Sequence, residues 1–175
     1  ALARDAATAS PKDQATAATA LPLRRLALVI GNGAYKHTRV LANPKNDTAA
    51  VAEALRALDF DVTLLGDLDR DGLRSALREF EGRLRADPPD WAMVYFSGHG
   101  TETVEGAFML PTDIFMPKEG EHVSDVTIVE DSVAIQNVMK RLQPAKSLRL
   151  VVFDACRDNP VLSAFNRMLD QSKQA

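Results

Sequence analysis

The chain has 175 residues, 46% hydrophobic and 26% charged, with a net charge of −3, the balance of one ordinary globular domain able to bury roughly 70% of its unfolded surface. The negative charge and the lack of a basic stripe argue against a nucleic-acid partner, and no apolar run reaches the length that crosses a membrane. A single cysteine, Cys156, excludes an internal disulfide and leaves the redox compartment open.

Residues 1–24 are rich in Ala and Thr, with few large apolar side chains, and read as a flexible leader or linker. The chain starts at Ala1 without Met. A cleaved signal peptide would fit that start and imply a periplasmic or secreted protein; without one a cytoplasmic protein is implied, so location stays open. Arg25 to Ile30 is a first buried strand, closed by Gly31-Asn32-Gly33. Gly-x-Gly after a strand hints at a nucleotide site, but the third glycine of that fingerprint is missing and no helix follows at once. A turn is the better reading. Residues 34–45, with Tyr35, His37, Arg39, Asn43 and Pro44, form a polar loop at the mouth of the sheet. Asn46 or Asp47 can cap a helix with Val51, Leu55 and Leu58 at helical spacing.

Phe60 to Leu65 is a second strand. Asp67-Leu68-Asp69-Arg70-Asp71-Gly72 imitates the start of a calcium-binding EF-hand loop. Its twelfth position is Arg78 where that loop needs a bidentate Glu, so the imitation fails. Asp69 or Asp71 caps a helix with Leu73, Leu77, Phe80 and Leu84 on one face, ended by Pro88-Pro89. Trp91 to Phe96 is a third buried strand, running into Ser97-Gly98-His99-Gly100. Residues 107–111 suit a short hairpin arm, and 112–130 an acidic, proline-punctuated loop. Glu130, Asp131 or Ser132 starts a helix with Ile135, Val138, Met139 and Leu142 inward. The last strand, Leu148 to Phe153, is read as buried and is followed by Asp154 and Cys156. A short amphipathic segment (Val161, Leu162, Phe165, Met168, Leu169) ends the chain. Alternating strands and helices predict an α/β domain, a mainly parallel sheet with helices on both faces.

Parallel strands deliver their carboxyl ends to one sheet edge, where α/β folds carry their chemistry. That places His99 and Cys156 together. Alone, Cys156 reads equally as a small buried hydrophobe, and His99 as a satisfied structural residue. Together they make a thiol that an imidazole can activate. The glycines flanking His99 leave its backbone free for close approach, and the amides of Gly100 and Cys156 could hold a tetrahedral oxyanion.

Ser-Gly-His-Gly at 97–100 and Asp-Ala-Cys-Arg-Asp at 154–158 resemble the paired signatures of the caspase and metacaspase superfamily of cysteine peptidases, nearest its bacterial members, the orthocaspases. The resemblance runs from about Arg25 to Asn159. It implies the caspase-haemoglobinase fold, a catalytic dyad of Cys156 and His99, and no obligatory cofactor. Animal caspases carry Gln where this chain has Asp154, and Leu41 stands near the loop position of their first specificity arginine. Asp47 and Ser97 resemble the metacaspase pocket aspartate and serine. Asp47 could otherwise be a helix cap and Asp154 a strand-end acceptor. Two carboxylates and a hydroxyl suit a cation, above all the planar fork of Arg. Many metacaspases also use calcium. Asp113, Glu130 and Asp131 fall near matching positions, but Ser163 stands where a further ligand belongs, so calcium activation stays open.

The resemblance therefore implies an endopeptidase cleaving after Arg or Lys through a thioester, with autoprocessing. The alternative is a catalytically silent caspase-like interaction or regulatory module; a nucleotide domain built on Gly31 and Gly33 is the weakest reading. Residues 25–160 make the catalytic large subunit and 161–175 an inter-subunit linker. None of the 19 residues after Cys156 reads as the further strands that the resemblance implies for a small subunit, so the expected partner is a small-subunit segment of the same precursor or a second copy, besides the peptide substrate.

Overall fold

A computed structural model describes residues 23–103, 105–115 and 130–156. Residues 1–22 of the expected 1–24 leader, most of the acidic loop, Ser163 and the amphipathic segment after Cys156 lie outside the described residues. Four strands run parallel: β1 (Arg25–Gly31), β2 (Phe60–Gly66), β3 (Trp91–Thr103) and β6 (Leu148–Cys156). Two short strands, β4 (Gly106–Met109) and β5 (Val133–Ala134), continue the sheet antiparallel from the end of β3. The sheet is six-stranded in the order β2-β1-β3-β4-β5, with β6 also paired to β3. This is the mixed α/β fold with a mainly parallel sheet expected from the alternation of elements.

Strand alternation sorts the core into two layers. Leu26, Leu28 and Ile30 of β1 and Val94 and Phe96 of β3 pack with Leu73, Leu77, Phe80 and Leu84 of α2 (Arg70–Ala86) and with Val138 of α3 (Ile135–Arg141). Ala27 and Val29 of β1 and Tyr95 of β3 face the other way, against Leu55 of α1 (Pro44–Ala57). Helices thus cover both faces, as the pattern requires.

Several boundaries differ from the sequence reading, each for a local reason. Strand β3 does not stop at Phe96. Its continuation pairs Gly100 with Met109 through Thr103 with Gly106, so the hairpin partner keeps a low-propensity Ser-Gly-His-Gly stretch extended. His99 therefore lies inside a strand. Strand β6 likewise reaches Cys156, because every residue from Leu148 onwards has a register partner on β3. It is not fully buried: Leu148 and Leu150 are 39% and 40% exposed. Helix α1 starts at Pro44, a residue suited to a first helical position, with Asn43 at the cap making no side-chain bond. Asp47 is therefore in the first turn and not the cap. Asp69 does cap α2, accepting from the Gly72 amide at 2.8 Å. Helix α3 begins only after β5, and Met139 is exposed rather than inward.

Candidate active site

The carboxyl ends of β1, β3 and β6 meet the loop 32–43 and the first turn of α1. Close packing brings that helix in. A Cβ on Gly31 would lie 2.8 Å from the Thr48 hydroxyl and 2.9 Å from the Pro44 carbonyl, so only glycine lets β1 end against α1. Register then aligns the remaining groups. Ser97 stands opposite Asp154, and His99 opposite Cys156, on neighbouring parallel strands. Asp47, Ser97 and Asp154 line one cavity of about 440 Å³, walled on its outer side by residues 39–43. Among the described residues, no Lys or Arg is ion-paired to Asp47 or Asp154. The cavity thus carries two carboxylates without an ion-pair partner among the described residues, with Arg39 the basic residue of its lining.

Tyr95 lies beneath this cavity. Its hydroxyl donates to Asp154 Oδ2 at 2.9 Å. Burial first, then the Asp154 hydrogen bond and the charges of Asp154 and Asp47, push its phenol up to about 12, while a hydrogen bond with Ser97 works the other way. Tyr95 thus remains a neutral donor and links Ser97 with Asp154. The sequence shows it only as one residue of a buried strand. Its position two residues before Ser97, on the same strand face, was the available signal.

His99 is 1% exposed. Its Nε2 lies 2.8 Å from the Arg39 carbonyl oxygen. A carbonyl can only accept, so Nε2 carries the proton and, in the neutral ring, Nδ1 carries the lone pair. Nδ1 is buried and has no hydrogen-bond partner among the described residues. Burial lowers the imidazole from its ordinary value; the Arg39 carbonyl bond opposes this and the Arg39 charge adds to it. The arrangement yields a neutral, oriented imidazole with one nitrogen available for proton exchange. Arg39 was legible only as part of a polar loop, because the group that matters is its backbone.

The Asn32 amide donates to the Ser97 carbonyl at 2.9 Å and the Leu110 amide to the His99 carbonyl at 3.1 Å. Peptide groups alternate along a strand, so the Gly100 amide faces β6 at the level of the Cys156 backbone.

The Gly31-Asn32-Gly33 turn offers no phosphate cradle. The amides of Gly33 and Ala34 both donate to Asp67 Oδ1 at 2.8 Å, so a carboxylate already sits where a phosphate would bind. Buried Asn32 bridges to the Leu68 amide and to the carbonyls of Leu68 and Leu110. Of the acidic residues considered for calcium, Asp113 accepts from the Arg70 amide at 2.8 Å, and Asp131 pairs with the Arg70 guanidinium at 2.8 Å. Glu130 is exposed, its carbonyl bonded by Arg74. No group of three or more His, Cys, Asp or Glu suited to a metal occurs among the described residues.

A family model described as the caspase domain matches residues 24–174. The chain is 32% identical over 134 residues to human mucosa-associated lymphoid tissue lymphoma translocation protein 1, covering 76% of this chain and 15% of that protein. The mouse homologue is 31% identical over 134 residues, with the same 76% and 15% coverage. The chain thus spans a small part of the length of the curated relatives it matches.

Proposed function

The chain belongs to the caspase-domain family, and on that footing we propose that it is a cysteine endopeptidase that cleaves after Arg or Lys. The observation that carries this reading is the cavity in which Asp47, Ser97 and Asp154 come together, beside the strand pair that sets His99 opposite Cys156. A guanidinium in that cavity would gain charge-assisted bonds to two carboxylates, and an acidic side chain would meet two like charges.

In the proposed reaction the Cys156 thiol gives its proton to His99 Nδ1, and the sulfur attacks the scissile carbonyl carbon. The C–N bond breaks as Nδ1 returns the proton to the leaving amine. Water then hydrolyses the thioester and restores the thiol. The Arg39 carbonyl holds the ring and favours the imidazolium that forms in between. The amides of Gly100 and Cys156 receive the oxyanion, which requires the last rung between β3 and β6 to open.

The acidic pocket is also what we propose places this chain with the metacaspase-like and bacterial orthocaspase members of the family. Autoprocessing at a basic residue, and a small-subunit segment or second copy completing the cleft, belong to the same proposal. Calcium activation does too: the ion would have to compete with Arg70 for Asp113 and Asp131, which activity with and without a calcium chelator tests.

The decisive experiment is hydrolysis of fluorogenic peptides differing only in the residue before the bond, with Cys156→Ala and His99→Ala as controls. Arg and Lys peptides should be cleaved, Cys156→Ala should abolish turnover, and His99→Ala should lower it by several orders of magnitude. Preference for Asp would overturn the specificity, and full activity of Cys156→Ala the mechanism. No turnover with any peptide, in protein whose Cys156 reacts with a thiol reagent, would favour the silent interaction module.

A further inference from the structure

Within β3, at His99, a side chain stands where a ladder bond belongs. Leu110 donates its amide to the His99 carbonyl at 3.1 Å. An antiparallel pair would return the bond from the His99 amide to the Leu110 carbonyl. Here the His99 amide donates to the Tyr35 hydroxyl at 2.7 Å, and that hydroxyl donates to the Leu110 carbonyl at 3.1 Å. One oxygen atom is inserted between the two strands at the level of the imidazole.

The rest of Tyr35 is built around that insertion. Its ring lies 4.4 Å from the His99 ring, centroid to centroid, tilted by 57°. It is buried and packs with Leu110, Ile114 and Leu41. Gly98 leaves the space: a Cβ there would lie 2.7 Å from the Tyr35 hydroxyl oxygen. The Gly33 carbonyl accepts the amides of both Tyr35 and Leu41 at 3.0 Å, closing the loop that presents the Arg39 carbonyl to His99 Nε2. One loop therefore holds His99 twice, by its backbone through Tyr35 and by its ring through Arg39.

We propose that Tyr35 is a positioning residue for His99, its hydroxyl acting as a spacer that sets the height of the imidazole against β6. The effect on turnover rests on the peptidase reading above. Without the hydroxyl, the His99 amide and the Leu110 carbonyl can close a direct ladder bond. The fold then survives while β3 moves toward β4 and carries His99 with it. A displacement on the order of 1 Å is enough to cost about 10²-fold in a positioned proton transfer.

The test compares wild type and Tyr35→Phe in the full chain, by steady-state hydrolysis of an Arg peptide and by NMR titration of the His99 imidazole in histidine-labelled protein. Expected are a fall of about 10²-fold in kcat with KM within about twofold, and a His99 titration shifted toward its ordinary value. Unchanged kcat and titration overturn the proposal. So does a loss of activity that only tracks the folded fraction while the titration stays put. If wild type shows no turnover, the peptidase reading fails and the titration alone decides the role of Tyr35. Should Tyr35→Phe not fold, Gly98→Ala, whose methyl would crowd the Tyr35 hydroxyl along with the Phe96 ring and the Asn32 carbonyl, carries the same expectation for kcat and for the titration, and KM is not read because Gly98 lines the cavity.

Discussion

The Tyr95 hydroxyl donates to Asp154 Oδ2 at 2.9 Å, so one oxygen of the pocket carboxylate is tied to the sheet beneath it. A carboxylate fixed on one side presents its other oxygen in a defined direction, which matters most to a planar, forked ligand such as Arg. Tyr95→Phe removes a hydrogen bond to a charged group while keeping the ring that packs against α1. We expect a KM increase for Arg peptides corresponding to roughly 1.5 kcal/mol, a smaller increase for Lys peptides, and little change in kcat. Michaelis–Menten analysis on matched Arg and Lys peptides checks this. Equal effects on both, or an unchanged KM, would remove Tyr95 from the specificity site.

Asp47 reaches the same cavity from α1, and Asp154 from β6. Neither is ion-paired among the described residues, so on the proposed reading a guanidinium of the substrate would supply the partner charge. Asp47→Asn and Asp154→Asn should each weaken cleavage after Arg by about 2 kcal/mol, since a charge-assisted bond becomes a neutral one. The double variant should lose less than the sum, because both carboxylates serve one guanidinium. Strict additivity in kcat/KM would indicate that the two do not share a ligand.

The fold was legible because its signals are local: short apolar runs for β1, β2, β3 and β6, and helical spacing for α2. Ser97 and Asp154 could be named because each lies where a sequence-legible strand ends, and Asp47 through the resemblance of its helix start to the family pattern; register sets Ser97 opposite Asp154. What stayed hidden depends on contacts across long sequence separations. The extension of β3 through His99 is enforced by β4. The Arg39 carbonyl and the Tyr35 hydroxyl act on His99 from a loop whose composition shows only polarity. For Asp47 the sequence leaves a helix cap open beside the pocket role, because a carboxylate near a helix start is often a cap. The Pro44 start, one turn earlier, is what frees it.

Acid should weaken the fold through His99. Burial holds its imidazole below the ordinary value of 6.5. The unfolded chain therefore takes up a proton near that pH while the folded chain does not, and unfolding becomes easier as protons become plentiful. The contribution is fully present above pH 6.5 and is lost as pH falls from there toward the folded value, with a slope of at most about 1.4 kcal/mol per pH unit. Urea denaturation at pH 7.5 and pH 5.5 should show a larger loss for wild type than for His99→Gln. Identical losses would mean that His99 titrates in the folded protein as freely as in the unfolded one.

Among the described strands, β6 pairs only with β3, and no described strand lies on its other edge. Leu148 and Leu150, 39% and 40% exposed, add apolar surface beside that edge. An open edge with exposed leucines is a template for another strand, and a charged side chain there opposes such pairing. Residues 1–175 alone should therefore associate with rising concentration and show low active-site occupancy by a basic peptidyl thiol probe. Leu150→Lys should reduce the association without lowering Tm by more than a few degrees, because the side chain is already partly in water. Light scattering across a concentration series, run beside active-site titration, measures both. Wild-type protein that stays monomeric and titrates fully would show that this edge needs no partner and that the cleft is complete without one.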